Sequence, residues 1–102
     1  MQITDQNISG LIAEGTPLVI DFWATWCGPC RMLAPVVEEL EKEYEGRVKI
    51  GSCNVDENQD AAAKLGIRSI PTLLFFKDGK LVDRSVGVVP KSDLAQKIEA
   101  LL

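Results

Sequence analysis

Apolar residues follow a helical period in four separate parts of the chain. Between Leu33 and Tyr44 they recur every three or four positions, which predicts an amphipathic helix with Gly46 as its C-terminal cap. Three further segments with helical spacing run from Ile8 to Gly15, from Asn58 to Gly66 with Asn58 as N-cap, and from Pro90 to Leu101.

Strand patterns lie between these helices. The nearly continuous apolar run from Leu18 to Ala24 is typical of a strand covered on both faces, and Val48 to Val55 is a second strand. A β-hairpin is predicted from the strands Thr72 to Phe76 and Leu81 to Val88, because Asp78-Gly79 between them suits a tight turn.

The resulting element order is α, β, α, β, α, β, β, α. Strands joined through helices pair in parallel by right-handed crossovers, whereas a hairpin adds antiparallel strands. The pattern therefore predicts an α/β fold over residues 1–102, a single domain with a mixed central β-sheet flanked by helices on both faces.

Composition narrows the classes of partner. The chain has 102 residues, 46% hydrophobic and 25% charged, with a net charge of −4 and no clustered lysines or arginines. Phosphate backbones need such clusters, so no nucleic-acid partner is expected. No apolar run approaches the roughly 20 residues of a membrane span, and no signal peptide is visible, so we expect no membrane association and a cytoplasmic location.

Two of the three cysteines stand in the stretch DFWATWCGPC, from Asp21 to Cys30. Cys27 follows a strand and opens a helix, where unpaired N–H groups and the helix dipole favour a thiolate. Gly28 lets the chain turn, and Pro29 suits the first helical turn. Cys30 comes one turn later on the same side, so the pair can close a small disulfide ring, and we expect Cys30 to be the more buried sulfur.

Two other interpretations of the pair are a zinc site and a structural disulfide. A zinc site usually has four ligands, but the chain has no histidine and only one further cysteine, so no metal is expected. A purely structural disulfide would close a very small loop and stabilise the fold little.

Several motifs together resemble the thioredoxin family. They are WCGPC (Trp26 to Cys30), the preceding DFWA, the later IPT (Ile70 to Thr72) and VGV (Val86 to Val88). The resemblance covers nearly the whole chain and implies a thioredoxin fold. It also implies a monomeric protein-disulfide reductase without a bound cofactor, which acts on client proteins and is recharged by an NADPH-dependent thioredoxin reductase. Cys27 would attack the client disulfide, and Cys30 would resolve the mixed disulfide.

Asp21 is a candidate base for the second cysteine. It lies in an apolar run where an ionised carboxylate is costly, and desolvation raises a carboxyl pKa toward the range useful for proton exchange. A role as helix cap fits poorly, because Asp21 precedes Cys27 by six residues. In thioredoxins the matching residue is a buried proton relay to the second cysteine.

An apolar rim is expected around Cys27. For the Ile70–Pro71 bond, base rates favour trans, but the resemblance implies a cis proline that faces the cysteines and leaves the Ile70 backbone free to pair with a client. By residue type alone, Ile70 and Val88 are as typical of a buried core as of an exposed rim. The predicted rim residues are Trp26, Gly28, Pro29, Ile70, Pro71, Gly87 and Val88.

The chain departs from the family pattern at three places. The usual extra N-terminal strand has only residues 1–3 available, and Cys53 is an additional thiol that we expect to be inert packing. Ser52 stands where many bacterial thioredoxins have a lysine that approaches the buried aspartate. Strand alternation places Ser52 on the face opposite Lys49, so Lys49 is not expected to replace that lysine.

Two other functions compete with disulfide reduction. The chain could be a thioredoxin-like binding or chaperone module without redox turnover, although such a module has no need of Cys27, Cys30 and Asp21. A disulfide-forming oxidant is disfavoured by the Gly-Pro spacer, by the absence of a histidine between the cysteines and by the lack of a visible export signal.

Overall fold

Strand β1 (Leu18–Trp23) lies inside a four-stranded mixed sheet of order β2-β1-β3-β4 in the computed structural model, which describes all 102 residues. It pairs in parallel with β2 (Lys49–Asn54) and antiparallel with β3 (Thr72–Lys77). Strand β4 (Lys80–Val86) pairs antiparallel with β3 and forms one edge. The element order and the mixed sheet confirm the predicted fold class.

Two helices cover each face of the sheet. Helices α2 (Gly28–Glu43) and α4 (Lys91–Glu99) pack on one face, and α1 (Ile8–Ala13) and α3 (Gln59–Lys64) pack on the other. Each face has its own apolar core, which explains why β1 is apolar at almost every position. None of the four helices has the length and apolar character needed to cross a bilayer.

The β3–β4 hairpin turns through the predicted Asp78-Gly79 pair. Both residues have positive φ, 55° at Asp78 and 79° at Gly79, and Lys77 pairs with Lys80 across the turn. A two-residue turn with two positive φ angles matches the twist of the strands it joins.

The start of α3 differs from the prediction. Asn58 occupies the N-cap position, but its side chain makes no capping hydrogen bond. Instead, Asp5 Oδ1 accepts a hydrogen bond from the Ala61 N–H at 2.8 Å. The Asn58 amide is used elsewhere: its Oδ1 accepts from the Asp5 N–H at 2.9 Å, and its Nδ2 donates to the Asn54 carbonyl at 3.0 Å. The Asn58 side chain, which was expected to cap α3, thus binds the N-terminal segment instead. That segment supplies Asp5, whose carboxylate caps the helix.

The N-terminal segment runs along the free edge of β2. It forms one parallel bridge, Gln2 to Ser52, in which the Ser52 N–H donates to the Met1 carbonyl at 3.0 Å and the Ile3 N–H donates to the Ser52 carbonyl at 2.9 Å. Gly51 permits this close approach, because a Cβ atom there would lie 2.7 Å from the Met1 carbonyl oxygen. The N-terminal strand is therefore shortened, as the sequence predicted.

Candidate active site

The two cysteines lie at the junction of β1 and α2. Cys27 is the N-cap of α2 with extended backbone, and its N–H donates to the Ala24 carbonyl at 3.2 Å. Cys30 follows in the first helical turn, its Cα atom 5.3 Å from that of Cys27, and the two sulfurs are joined in a disulfide. The Cys30 N–H points at Cys27 Sγ, 3.2 Å away. The predicted position of the pair at a helix start is confirmed.

Burial does not distinguish the two sulfurs as expected. Cys27 is 4% exposed and Cys30 3% exposed, since the disulfide holds both side chains against the same small cluster of apolar residues. The chemical difference between them rests on helix position. Cys27 Sγ is placed where it receives a backbone N–H, which favours the anionic form of a thiol.

Asp21 is a buried carboxyl group on the α2 face of the sheet. It stands two residues after Val19, which lies in the same apolar core as Leu33 of α2, so the side chains of Val19 and Asp21 share this face. Asp21 is only 4% exposed, and its Oδ1 has no hydrogen-bond partner. Burial raises the pKa of Asp21 to about 7. The structure thus places a carboxyl group that can gain or lose a proton near neutral pH beneath the helix that carries Cys30.

No cation compensates the Asp21 charge. Its direct neighbour on β2 is Ser52, and no side-chain hydrogen bond joins the two. Ser52 shares a face with Ile50 of the α2-side core, whereas Lys49 forms an ion pair with Glu14. The predicted alternation along β2 is confirmed, and desolvation acts alone on the pKa of Asp21.

The Ile70–Pro71 peptide bond is cis and lies beside the cysteines. The Ile70 carbonyl oxygen is 3.9 Å from Cys27 Sγ. Neither the N–H nor the carbonyl of Ile70 joins a backbone hydrogen bond, so both are free to pair with another chain. Pro71 itself is buried, unlike the exposed rim residue expected, and it lies directly before the buried start of β3. Its carbonyl accepts from the Gly87 N–H at 2.9 Å.

The remaining rim residues form a partly exposed apolar surface. Trp26 is 67% exposed and Val88 48% exposed, Pro29 is exposed, and Gly28, Ile70 and Gly87 are half-buried. The bond from Gly87 to Pro71 brings the end of β4 next to the cis proline. Val88 is thus a surface residue rather than a core residue.

Asp56 is a site residue that sequence reasoning missed. Its Oδ2 accepts a hydrogen bond from the Trp26 indole N–H at 2.9 Å, which holds the exposed ring in place. Trp26 follows β1, and Asp56 follows the neighbouring parallel strand β2. Because the carboxyl ends of parallel strands meet at one edge of a sheet, this shared position was the available signal.

Cys53 lies on the far side of the sheet from this site. It is fully buried in the core shared with α1 and α3 and has no disulfide partner. Burial, with a smaller contribution from the negative charge of Asp5, raises the pKa of the Cys53 thiol to about 11. Burial and a raised pKa both disfavour the reactive thiolate of Cys53, so its side chain contributes to packing.

Comparison with known proteins agrees with this geometry. The thioredoxin family model matches residues 1–100. The chain belongs to the thioredoxin family. It is 57% identical over 102 residues to a thioredoxin of Synechocystis, covering 99% of this chain and 95% of that protein. It is 54% identical over 89 residues to the chloroplastic M-type thioredoxin of Pisum sativum, covering 87% of this chain and 52% of that protein.

A solved structure extends the likeness to three dimensions. The oxidised mitochondrial thioredoxin 3 of Saccharomyces cerevisiae superposes with a TM-score of 0.89 at 35% identity, covering 99% of this chain and 94% of that one. Thioredoxins are thiol–disulfide oxidoreductases, and here Cys27 and Cys30 form the redox-active pair. The chain therefore performs dithiol–disulfide exchange.

Proposed function

We propose that the protein reduces the disulfides of client proteins, with Cys27 as the nucleophile and Cys30 as the resolving thiol. The Cys27 thiolate attacks one client sulfur, forms a mixed disulfide and releases the other client sulfur as a thiolate. The Cys30 thiolate then attacks Cys27 Sγ and releases the second client sulfur. The client gains two electrons, and the protein is left with the Cys27–Cys30 disulfide present in the structure.

One observation carries the assignment of roles: Cys27 Sγ sits at the N-cap of α2 and receives the Cys30 N–H. A sulfur in this position is stabilised as a thiolate both before attack and when it leaves. Cys30 lies inside the first turn, joined to Cys27 Sγ, which suits it to resolve a mixed disulfide formed at Cys27.

Asp21 supplies the proton acceptor that the second step needs. Cys30 must lose its proton while the bound client shields it from water. A carboxyl group with a pKa of about 7 can accept that proton and later return it, and Asp21 shares the sheet face that α2 covers.

The client disulfide is held by the rim around Cys27. An extended client segment would pair with the free N–H and carbonyl of Ile70 and pack on Trp26 and Val88. Backbone pairing of this kind tolerates many client sequences.

Reduction of the Cys27–Cys30 disulfide closes the cycle, and we assign it to an NADPH-dependent thioredoxin reductase. The cytoplasmic location and the monomeric state predicted above stay predictions. The relatives include a protein of a bacterial strain and a chloroplastic protein.

Trapping experiments test the two thiol roles. Cys30→Ser should accumulate mixed disulfides with clients, Cys27→Ser should trap none, and both should lose reduction of insulin disulfides. Iodoacetamide should alkylate Cys27 of the native reduced protein well before Cys30 near neutral pH. Equal alkylation rates would contradict the roles, and a wild-type protein that reduces insulin no faster than the double serine variant would favour the redox-independent binding module.

A further inference from the structure

A groove of about 400 Å³ opens beside the cis-proline loop, outside the apolar rim. One wall is the loop of residues 66–69, and the other is formed by Thr72, Arg84 and Val86 of the β3–β4 hairpin. Arg68 and Arg84 are sixteen residues apart in sequence, and the hairpin brings them to one groove. The sequence alone showed no basic cluster here.

The two guanidinium groups are uncommitted. Of the four arginines, Arg31 donates to the Thr25 carbonyl and Arg47 donates to the Glu43 carbonyl. The side chains of Arg68 and Arg84 form no hydrogen bond or ion pair with the protein, and both residues are exposed.

No carboxylate lines the groove. The nearest acid in sequence, Asp83, alternates to the other face of β4 and pairs with Lys97 of α4. The groove is thus a positively charged spot on a chain whose net charge is −4. Such a local field attracts anionic groups even when the whole molecule is acidic.

The groove lies within reach of a client held at the active site. Arg68 precedes Ile70 by two residues, a chain distance of at most about 7 Å. The Ile70 carbonyl is itself 3.9 Å from Cys27 Sγ. A client segment paired with Ile70 therefore carries residues a few positions from its cysteine past Arg68, toward the groove that Arg84 also lines.

We propose that Arg68 and Arg84 form a selectivity site for clients with Asp or Glu two or three residues from the reacting cysteine. This inference rests on the proposed disulfide reduction and adds a preferred client class to it. Arginine suits the role because its planar guanidinium pairs with a carboxylate through two parallel hydrogen bonds. The apolar rim and the Ile70 backbone hold any client, whereas the arginines discriminate between clients.

The test uses three synthetic peptides that each contain one disulfide between a fluorophore and a quencher. They differ only at the positions two and three residues from each cysteine, which are all Glu, all Gln or all Lys. The protein is reduced, freed of reductant and mixed with each peptide, and the second-order rate constant is read from fluorescence. An exposed ion pair contributes modestly, so the Glu peptide should react about two- to tenfold faster than the Lys peptide at low salt. The ratio should shrink toward one at about 0.5 M NaCl, where screening is strong.

Variants that remove positive charge identify the groups responsible. Arg68→Gln with Arg84→Gln should bring the Glu-to-Lys rate ratio close to one, and Arg84→Glu should lower it further. Lys42→Gln is the control, because it removes one positive charge from the far end of α2 and should leave the ratio unchanged. The Gln peptide should react at the same rate with every variant, which shows that the cysteine chemistry is intact.

Two failures are distinguishable. If the wild-type protein reduces all three peptides but the arginine variants leave the rate ratio unmoved, or Lys42→Gln changes it as much, the selectivity site is refuted while disulfide reduction stands. If the wild-type protein reduces none of the peptides, the proposed function is refuted together with the inference.

Discussion

At the scale of single residues, the burial of Asp21 links proton transfer to the stability of the fold. Its folded-state pKa of about 7 lies above the ordinary value of 3.8, because the carboxylate loses its hydration without gaining a partner. Each pKa unit corresponds to about 1.36 kcal/mol, so the ionised form costs the folded state on the order of 4 kcal/mol. The same desolvation makes the group useful as a proton acceptor.

Replacing Asp21 by Asn should stabilise the protein in a pH-dependent way. Below about pH 3 the wild-type carboxyl is protonated in both folded and unfolded chains, so the two proteins should have similar free energies of unfolding. As pH rises from 4 to 7 the unfolded chain ionises first, and the wild type loses stability relative to Asp21→Asn. Above pH 7 the gap should level off at up to about 4 kcal/mol.

Urea unfolding of the oxidised proteins between pH 4 and pH 9 measures this gap. Asp83→Asn is a control whose effect on stability should have the opposite sign, because the hydrogen bond from Lys97 lowers the pKa of Asp83. Its removal should destabilise the protein at neutral pH, and that effect should fade as the solution becomes acidic. An Asp21→Asn gap that is constant with pH, or narrows as pH rises, would contradict the buried-acid account.

Ser52→Lys should lower the pKa of Asp21 below 7. The two residues are direct neighbours on paired strands, and a cleft of about 110 Å³ beside Ser52 and Trp23 leaves room for a longer side chain. A nearby ammonium favours the carboxylate, so the variant should gain stability over wild type as pH rises toward 7. The carboxyl-carbon NMR titration of Asp21 measures the pKa, and Ser52→Met separates charge from side-chain length. A wild-type pKa near 3.9, or no change in Ser52→Lys, would disprove the argument.

At the scale of elements, helix α3 depends on a residue remote in sequence. Asp5→Ala removes the acceptor of the Ala61 N–H and should cost about 1 kcal/mol of unfolding free energy, a typical value for a lost capping side chain. Asp5→Asn retains a side-chain oxygen and should cost clearly less. Urea unfolding at pH 7 compares the three proteins, and equal losses in both variants would show that the oxygen acceptor is not what matters.

This cap shows where sequence reasoning stops. Helices and strands were predictable because apolar spacing is a local property, and the face of β2 that Ser52 occupies followed from the twofold alternation of a strand. The closeness of Ser52 to Asp21 was expected only from the family resemblance. The cap by Asp5 was not predictable, since 56 residues separate it from Ala61 and Asn58 offered a local alternative. The cis bond before Pro71 was against the base rate and was expected only from the family resemblance.

At the scale of the whole molecule, the sheet separates the redox chemistry from a second apolar core. Cys27 and Cys30 lie at the start of α2 and Asp21 lies on the sheet face that α2 covers, whereas Cys53 lies in the core shared with α1 and α3. The molecule can therefore carry a third thiol without involving it in exchange.

Cys53→Ala should consequently reduce stability and leave activity almost unchanged. The lost packing should lower the free energy of unfolding by on the order of 1–2 kcal/mol. Insulin reduction per folded molecule should match the wild type, with Cys27→Ala as the inactive reference. A large loss of turnover in a fully folded Cys53→Ala protein would place this thiol in the mechanism after all.

The short contact between the N-terminal segment and Gly51 also bears on solubility. An uncovered strand edge offers a row of unpaired N–H and carbonyl groups to other chains and so promotes aggregation. Here the hydrogen bonds of Met1 and Ile3 to Ser52 occupy part of the outer edge of β2, and no side chain at position 51 would leave room for them. Residues 1–3 thus cover part of this edge and oppose pairing with other chains. A larger residue at position 51 would displace this segment without changing the redox site.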